Sequence, residues 1–108
     1  MADAAVVLTT LGSAEAAARL GRELVELRLA ACASVLPGMR SIYRWEGAIA
    51  DEAEALLLLK TPPARVAALR EALLARHPYD VPELLVLDAR DVPEPYARWL
   101  DTETAETP

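Results

Sequence analysis

Three residues of this 108-residue chain carry donor types that soft or borderline metal ions prefer. Cys32 is the only cysteine and His77 is the only histidine, while Glu83 follows His77 by six residues across a predicted turn. Thiolate, imidazole and carboxylate together would suit copper or zinc. The sequence therefore predicts a metal site if the fold brings Cys32 close to the turn that contains the other two residues.

Two of these residues also have ordinary structural interpretations. His77 precedes Pro78 and so ends a predicted helix, where an imidazolium complements the helix dipole and bonds to free carbonyl groups. Cys32 lies among small residues in the segment ACAS, which is typical of a buried small hydrophobe. Spacing alone favours the structural roles, and the metal-site hypothesis stays open beside them.

A second candidate site is a single cation. Lys60 ends an apolar run, so its stem can lie on the core while its ammonium reaches water. Its charge could instead hold an anionic ligand in a cleft between subunits. The residues themselves do not decide between these two interpretations.

Composition argues against several classes of function. The net charge is −6, with 11 basic residues scattered among 17 acidic ones, so a nucleic-acid-binding surface is not expected. The longest apolar run, Ala55–Leu59, is far shorter than the roughly 20 residues of a membrane span. The first residues show no signal-peptide pattern, and a single cysteine is typical of a reducing cytoplasm. Because the common catalytic motifs are missing, we do not expect an enzyme.

The hydrophobic pattern predicts the element order βαββαβ followed by a short helix, which is a ferredoxin-like α+β fold with a long central hairpin. Residues 1–100 are predicted to form one domain, with Tyr96, Trp99 and Leu100 turned inward, and the acidic segment 101–108 to be a disordered tail. Strands are predicted at 4–11, 31–46 with an interruption at Pro37-Gly38, 49–61 and 81–89, and helices at 13–28, 62–77 and 93–100.

Two strands of this sheet are apolar on both faces. Leu56–Leu59 and Leu84–Leu87 are continuous apolar runs, whereas a sheet with helices on one face normally alternates apolar and polar residues. The final helix is too short to cover the second face. We therefore predict self-association, with Tyr43 and Trp45 of the hairpin as interface anchors.

Three blocks of the sequence resemble the hallmark segments of the CutA family of divalent-cation tolerance proteins, in the family's order and spacing. They are AACASVLPGMRSIYRWEG (30–47), EALLLLKT (54–61) and HPYDVPELLVL (77–87). The resemblance extends from about Val6 to Leu100. It implies a ferredoxin-like fold, a homotrimer similar to the PII-type signalling trimers, and the binding of copper in divalent-cation tolerance or homeostasis.

The resemblance also indicates which residues would bind the metal. Cys32, His77 and Glu83 match the family's metal-associated positions, whereas Thr9 stands where some members have a further cysteine. The segment that begins at Asp88 also departs from the family, which affects the turn before the last helix. The alternative implied by the PII-like architecture is a signalling or scaffold trimer that binds a small anionic ligand between subunits, near Lys60, Tyr43 and Trp45.

Overall fold

The computed structural model describes residues 3–106, which form a four-stranded antiparallel sheet and three α-helices. The strand order is β2-β3-β1-β4, and every neighbouring pair is antiparallel. This arrangement confirms the predicted ferredoxin-like α+β fold. The strands are β1 (Ala4–Leu11), β2 (Cys32–Trp45), β3 (Ala48–Thr61) and β4 (Leu85–Ala89), and the helices are α1 (Ala14–Glu26), α2 (Val66–Arg76, entered through a 3₁₀ turn at Pro63–Arg65) and α3 (Glu94–Glu103).

The helix α1 begins at a side-chain cap and packs very closely on the sheet. The Ser13 hydroxyl accepts a hydrogen bond from the Ala16 amide at 3.1 Å, which satisfies one free donor of the first turn. Its apolar side then enters the main core, which it shares with α2. That core consists of Val7, Leu11, Ala17, Leu20, Leu24, Ala30, Ala55, Leu57, Leu59, Leu69 and Leu73.

The predicted hairpin is confirmed, and it projects beyond the rest of the sheet. Strand β1 ends opposite Ala55, whereas β2 and β3 continue as a pair to a two-residue turn at Glu46 and Gly47. Both turn residues have positive φ, 49° and 79°, as tight hairpin turns require. The interruption predicted at Pro37-Gly38 is a shift of register between Leu36 and Met39. We call residues 39–54 the arm.

The two faces of the sheet differ in what covers them. Ala33 and Leu57 point toward α1, so their neighbours along the strands point the other way. On this second side three leucines remain about half exposed: Leu36 at 49%, Leu85 at 52% and Leu87 at 51%. We call this side the open face, and its apolar residues are Val6, Leu8, Leu36, Leu56, Leu58, Leu85 and Leu87.

Two predicted details near the C-terminus differ from the structure. Strand β4 begins at Leu85 and not at Val81, because Pro82 has no amide donor for a ladder. Of the residues predicted to turn inward, only Leu100 is buried, while Tyr96 and Trp99 stack on each other and stay about 40% exposed.

The C-terminal segment is ordered further than predicted. Helix α3 continues through the position where the disordered tail was predicted to begin, and ends at Glu103. Thr104 is buried and its hydroxyl donates to the Leu100 carbonyl at 2.7 Å. Residues 107–108 of the predicted tail lie outside the described residues. No helix within residues 3–106 combines the length and the apolar character that crossing a membrane requires.

The tight contact between α1 and the sheet gives a test of the packing. A Cβ atom at Gly21 would lie 2.9 Å from the Ala33 Cβ and 3.0 Å from a Leu57 methyl carbon. We therefore expect Gly21→Ala to lower the free energy of unfolding by about 1 kcal/mol or more, although alanine favours helix formation. Urea unfolding measures this change.

The matched control is Gly12→Ala, because a Cβ atom there would meet only the Tyr79 hydroxyl, at 3.8 Å. This substitution should change the free energy of unfolding by no more than about 0.5 kcal/mol. A Gly21→Ala protein as stable as the wild type would show that the helix can move off the sheet at no cost.

Candidate functional site

His77 lies directly after α2, with both ring nitrogens hydrogen-bonded. Its backbone is extended, as the following proline requires, and its amide still donates to the Leu73 carbonyl at 2.9 Å. The Nδ1 atom accepts from the Tyr79 amide at 3.1 Å, so the ring proton is on Nε2, which donates to the Thr10 carbonyl at 2.9 Å. This side chain is a neutral, buried imidazole, and a metal ion at either nitrogen would replace one of these bonds.

The segment that follows His77 is attached to β1 by side chains and not by a strand ladder. Pairing between β1 and β4 stops at Leu8 and Leu85. Beyond that point the hydroxyl of the fully buried Thr9 donates to the Glu83 carbonyl at 2.6 Å. The Nε2 of His77 donates to the Thr10 carbonyl. The hydroxyl of Thr9 therefore holds in place the segment that carries Glu83, whose own side chain is exposed.

Two phenol–carboxylate pairs lie at the base of the arm. The Tyr79 ring meets the His77 ring edge-on at a centroid distance of 4.8 Å, and its hydroxyl donates to Glu54 Oε2 at 2.8 Å. Burial, reinforced by the bond to Glu54, raises the pKa of Tyr79 to about 12. Farther along, the Tyr43 hydroxyl donates to Glu52 Oε1 at 2.6 Å, and this bond raises the pKa of Tyr43. Tyr79 thus connects the end of α2 to the arm.

Cys32 lies at the start of β2, on the open face. The half-buried thiol is 3.8 Å from the Lys60 ammonium, which also donates to the Ser34 hydroxyl at 2.9 Å. All three residues lie on the same side because Cys32 pairs with Lys60 across the two strands and Ser34 is two residues along β2. The cysteine and the predicted anion-binding lysine therefore belong to one polar cluster.

This cluster is remote from His77. Cys32 pairs with Lys60, whereas Thr10, the partner of His77, pairs with Leu56. Four residues along β3 correspond to about 13 Å, and β2 and β1 are two strands apart, which adds about 10 Å across the sheet. Donors to one metal ion must lie within about 4 Å of each other. A single chain thus supplies no site that contains both Cys32 and His77.

Other groups of metal donors, and the residues of the predicted anion-binding cleft, also lie apart. Within residues 3–106 no three His, Cys, Asp or Glu side chains are placed to hold a metal ion together. Tyr43 pairs with Ala50, ten residues along β3 from Lys60 and therefore about 33 Å away. Neither predicted set of site residues therefore converges within one chain.

Sequence reasoning missed Tyr79 and Glu54. Tyr79 stood in the HPYDVPEL segment, but only its neighbours have metal-binding side chains. Glu54 lies on the open face, as Leu56 does, because side chains two residues apart on a strand share a face. It is also the residue next to Ala55, which pairs with the last residue of β1. The alternation of side chains along β3 could have shown on which face Glu54 lies. No feature near either residue in the sequence indicates that Glu54 and Tyr79 form a hydrogen bond.

The phenol of Tyr79 gives a test at alkaline pH. Its pKa of about 12 lies above the ordinary value of 10, so the folded protein holds this proton more tightly than the unfolded chain. The resulting stability is complete below pH 10 and is lost as the pH rises from about 10 to about 12. We expect Tyr79→Phe to have a flatter decline of unfolding free energy over this range than the wild type has, measured by urea unfolding. Tyr96→Phe is the control, and equal slopes for Tyr79→Phe and wild type would contradict the assignment.

Comparison with known proteins agrees with this architecture. Residues 5–103 match the family model of the CutA1 divalent ion tolerance protein. The divalent-cation tolerance protein CutA of Thermus thermophilus is 43% identical over 99 residues, which cover 92% of this chain and 96% of that protein. The solved CutA structure from Synechococcus elongatus has a TM-score of 0.92 at 39% identity, covering 97% of this chain and 93% of that one. A periplasmic divalent cation tolerance protein CutA from Archaeoglobus fulgidus has a TM-score of 0.89 at 28% identity, covering 94% and 98%. The chain therefore belongs to the CutA1 family of divalent ion tolerance proteins.

Proposed function

We propose that this protein acts in divalent-cation tolerance or homeostasis by binding copper, or another divalent metal, as a homotrimer and not by catalysis. The names of its family and relatives support the cation-tolerance part. Metal binding between chains is supported by the position of the candidate donors. Cys32 lies on one edge strand, whereas His77 and Glu83 lie beside the other.

Self-association is supported by exposed apolar surface on the sheet and on the arm. The open face leaves several leucines about half in water, and monomeric proteins rarely expose apolar patches of this kind. On the arm, Ile42 is 65% exposed, Ile49 60% and Trp45 50%. A second and third copy of the chain would cover both surfaces, with Tyr43 and Trp45 as anchors.

The two edges of the sheet give this association a direction. Strands β2 and β4 each leave one side unpaired within residues 3–106, and they are different strands. Contact between unlike edges is head-to-tail, and such contacts form a closed ring when the rotation closes. In a ring of three copies the β2 edge of each subunit would meet the β4 edge of the next.

This geometry makes the metal site a shared one. Cys32 of one subunit would supply a thiolate, while the next subunit would supply the His77 imidazole and the Glu83 carboxylate. Sulfur, nitrogen and oxygen donors of this kind suit copper or zinc. To bind, the ion would displace the Tyr79 amide from Nδ1, the His77 nitrogen whose bond is the less buried of the two.

Mixed subunits test the shared site directly. Cys32→Ala and His77→Gln should each lose binding of Zn²⁺ and Cu²⁺, measured by calorimetric titration. When the two variants are unfolded and refolded together, about a quarter of the sites should return, because one neighbouring pair in four combines an intact Cys32 with an intact His77. Glutamine keeps a donor for the Thr10 carbonyl, so this substitution removes the ligand with limited damage to the fold.

Two results would contradict this proposal. Equal metal affinity in the wild type and in both variants would exclude these ligands. Loss in each variant without recovery in the mixture would exclude the arrangement across two subunits. Glu26→Gln is the matched surface control, since Glu26 is exposed and forms only an ion pair with Arg22 on the same helix.

The alternative function is the binding of a small anion between subunits. It is favoured by Lys60, whose ammonium forms no ion pair with a carboxylate among residues 3–106 and whose side-chain hydrogen bonds there go only to Ser34 and Cys32. In the proposed trimer this charge would lie beside a neighbouring subunit, where the Tyr43 and Trp45 of an arm could complete a cleft.

A thermal-shift experiment separates this alternative from metal binding. Nucleotides and small carboxylates should raise the melting temperature of the wild type and not of Lys60→Met, since a ligand of the native state stabilises it. An increase of the same size in both proteins, or in neither, would exclude Lys60 as an anion site.

The proposed location is the cytoplasm, on the ground of the single cysteine. The Archaeoglobus relative is described as periplasmic, so the location varies among related proteins.

A further inference from the structure

We propose that His77, Tyr79 and Glu54 form a relay that couples the hydrogen-bonding state of the His77 ring to the setting of the arm. The relay consists of three contacts in series. The Thr10 carbonyl fixes the ring through Nε2, the Nδ1 atom fixes the Tyr79 backbone, and the Tyr79 hydroxyl fixes Glu54 at the base of the arm.

The arm begins where β3 leaves the part of the sheet that β1 supports. From Ala55 to Thr61, β3 pairs with β1 on one side. From Ala48 to Glu54, its only strand partner among residues 3–106 is β2. Because an isolated two-stranded hairpin is marginally stable in water, the contact at the base of the arm and the proposed contacts with other copies of the chain both bear on its setting. Tyr79 bonds to Glu54, the first residue beyond the last β1 pair and therefore the point where the arm leaves the support of β1.

At the other end of the relay, the two hydrogen bonds of the His77 ring differ in how deeply they are buried. The Nε2 bond is buried and anchored on β1, a central strand, whereas the bond between Nδ1 and the Tyr79 amide lies closer to the surface. Any group that takes the Nδ1 lone pair releases the Tyr79 backbone while the ring stays anchored. Tyr79 would then lose the contact that aims its hydroxyl at Glu54.

This inference gives the proposed metal site a consequence and, in that part only, rests on the proposed function. A divalent cation captured at Nδ1 would break the relay and loosen the arm that bears Tyr43 and Trp45. Metal occupancy would then alter the surface through which the subunits associate. The relay itself exists without metal and can be tested without it.

Hydrogen exchange of the metal-free protein tests the relay, read on the backbone amides of residues 48–54. Tyr79→Phe removes the bond to Glu54, and exchange in this segment should become about fivefold faster, as expected for one lost hydrogen bond. His77→Gln keeps a donor for the Thr10 carbonyl but loses the acceptor for the Tyr79 amide, so it should accelerate exchange by a similar factor. Tyr96→Phe should leave these amides unchanged.

Two further variants make the test specific. His77→Asn is the converse variant: its side-chain oxygen can accept from the Tyr79 amide in place of Nδ1, but it leaves the Thr10 carbonyl without the Nε2 donor, so it should accelerate exchange less than His77→Gln does. The double variant His77→Gln/Tyr79→Phe should exchange as Tyr79→Phe does, because both changes break the same series of bonds.

Four results would overturn the relay. These are unchanged exchange of residues 48–54 in Tyr79→Phe, equal exchange in His77→Gln and His77→Asn, faster exchange in Tyr96→Phe, and multiplication of the single effects to about 25-fold in the double variant. Failure of the wild type to bind metal would contradict the proposed function and leave the relay standing.

Discussion

Helices α1 and α2 cover one face of a sheet in which β3 and β4 are apolar on both faces, while Leu100 of α3 packs beside Ala4 and Ala89 at one end of the sheet. On the covered side, α1 approaches β2 and β3 so closely that only a glycine fits at position 21. On the other side a surface made largely of leucine and valine faces outward. Burial of apolar area is the dominant favourable contribution to folding and association, so this imbalance determines how the rest of the molecule can be used. The proposed association of three copies removes it.

The order of the strands explains why the predicted metal site is incomplete within one chain. Cys32 and Lys60 lie on the open face near one edge, while His77 and Glu83 lie near the opposite edge. A strand order of β2-β3-β1-β4 keeps these edges apart within a chain, and a head-to-tail ring brings unlike edges together. Site and assembly are therefore one hypothesis, in which the metal-binding residues belong to the contact between subunits.

Much of the fold could be predicted because its signals are local. Gly47 marks the hairpin turn, Pro37-Gly38 marks the shift of register, and Pro78 ends α2, each through backbone geometry. The missed features depend on partners distant in sequence. The composition of residues 81–84 predicts a strand. In the structure, hydrogen bonds of the Thr9 hydroxyl and the His77 ring replace the backbone ladder that this strand would form with β1. Donor types identified Cys32 and His77, but their separation is a property of the folded sheet.

The central claim is that copies of this chain cover the open face and the arm. Sedimentation equilibrium at micromolar protein tests it most directly, because the measured mass does not depend on which metal or anion is bound. The account predicts a mass three times that of the 11.7 kDa chain. A mass of one chain would mean that the exposed leucines stay in water, and it would contradict both the assembly and the shared site.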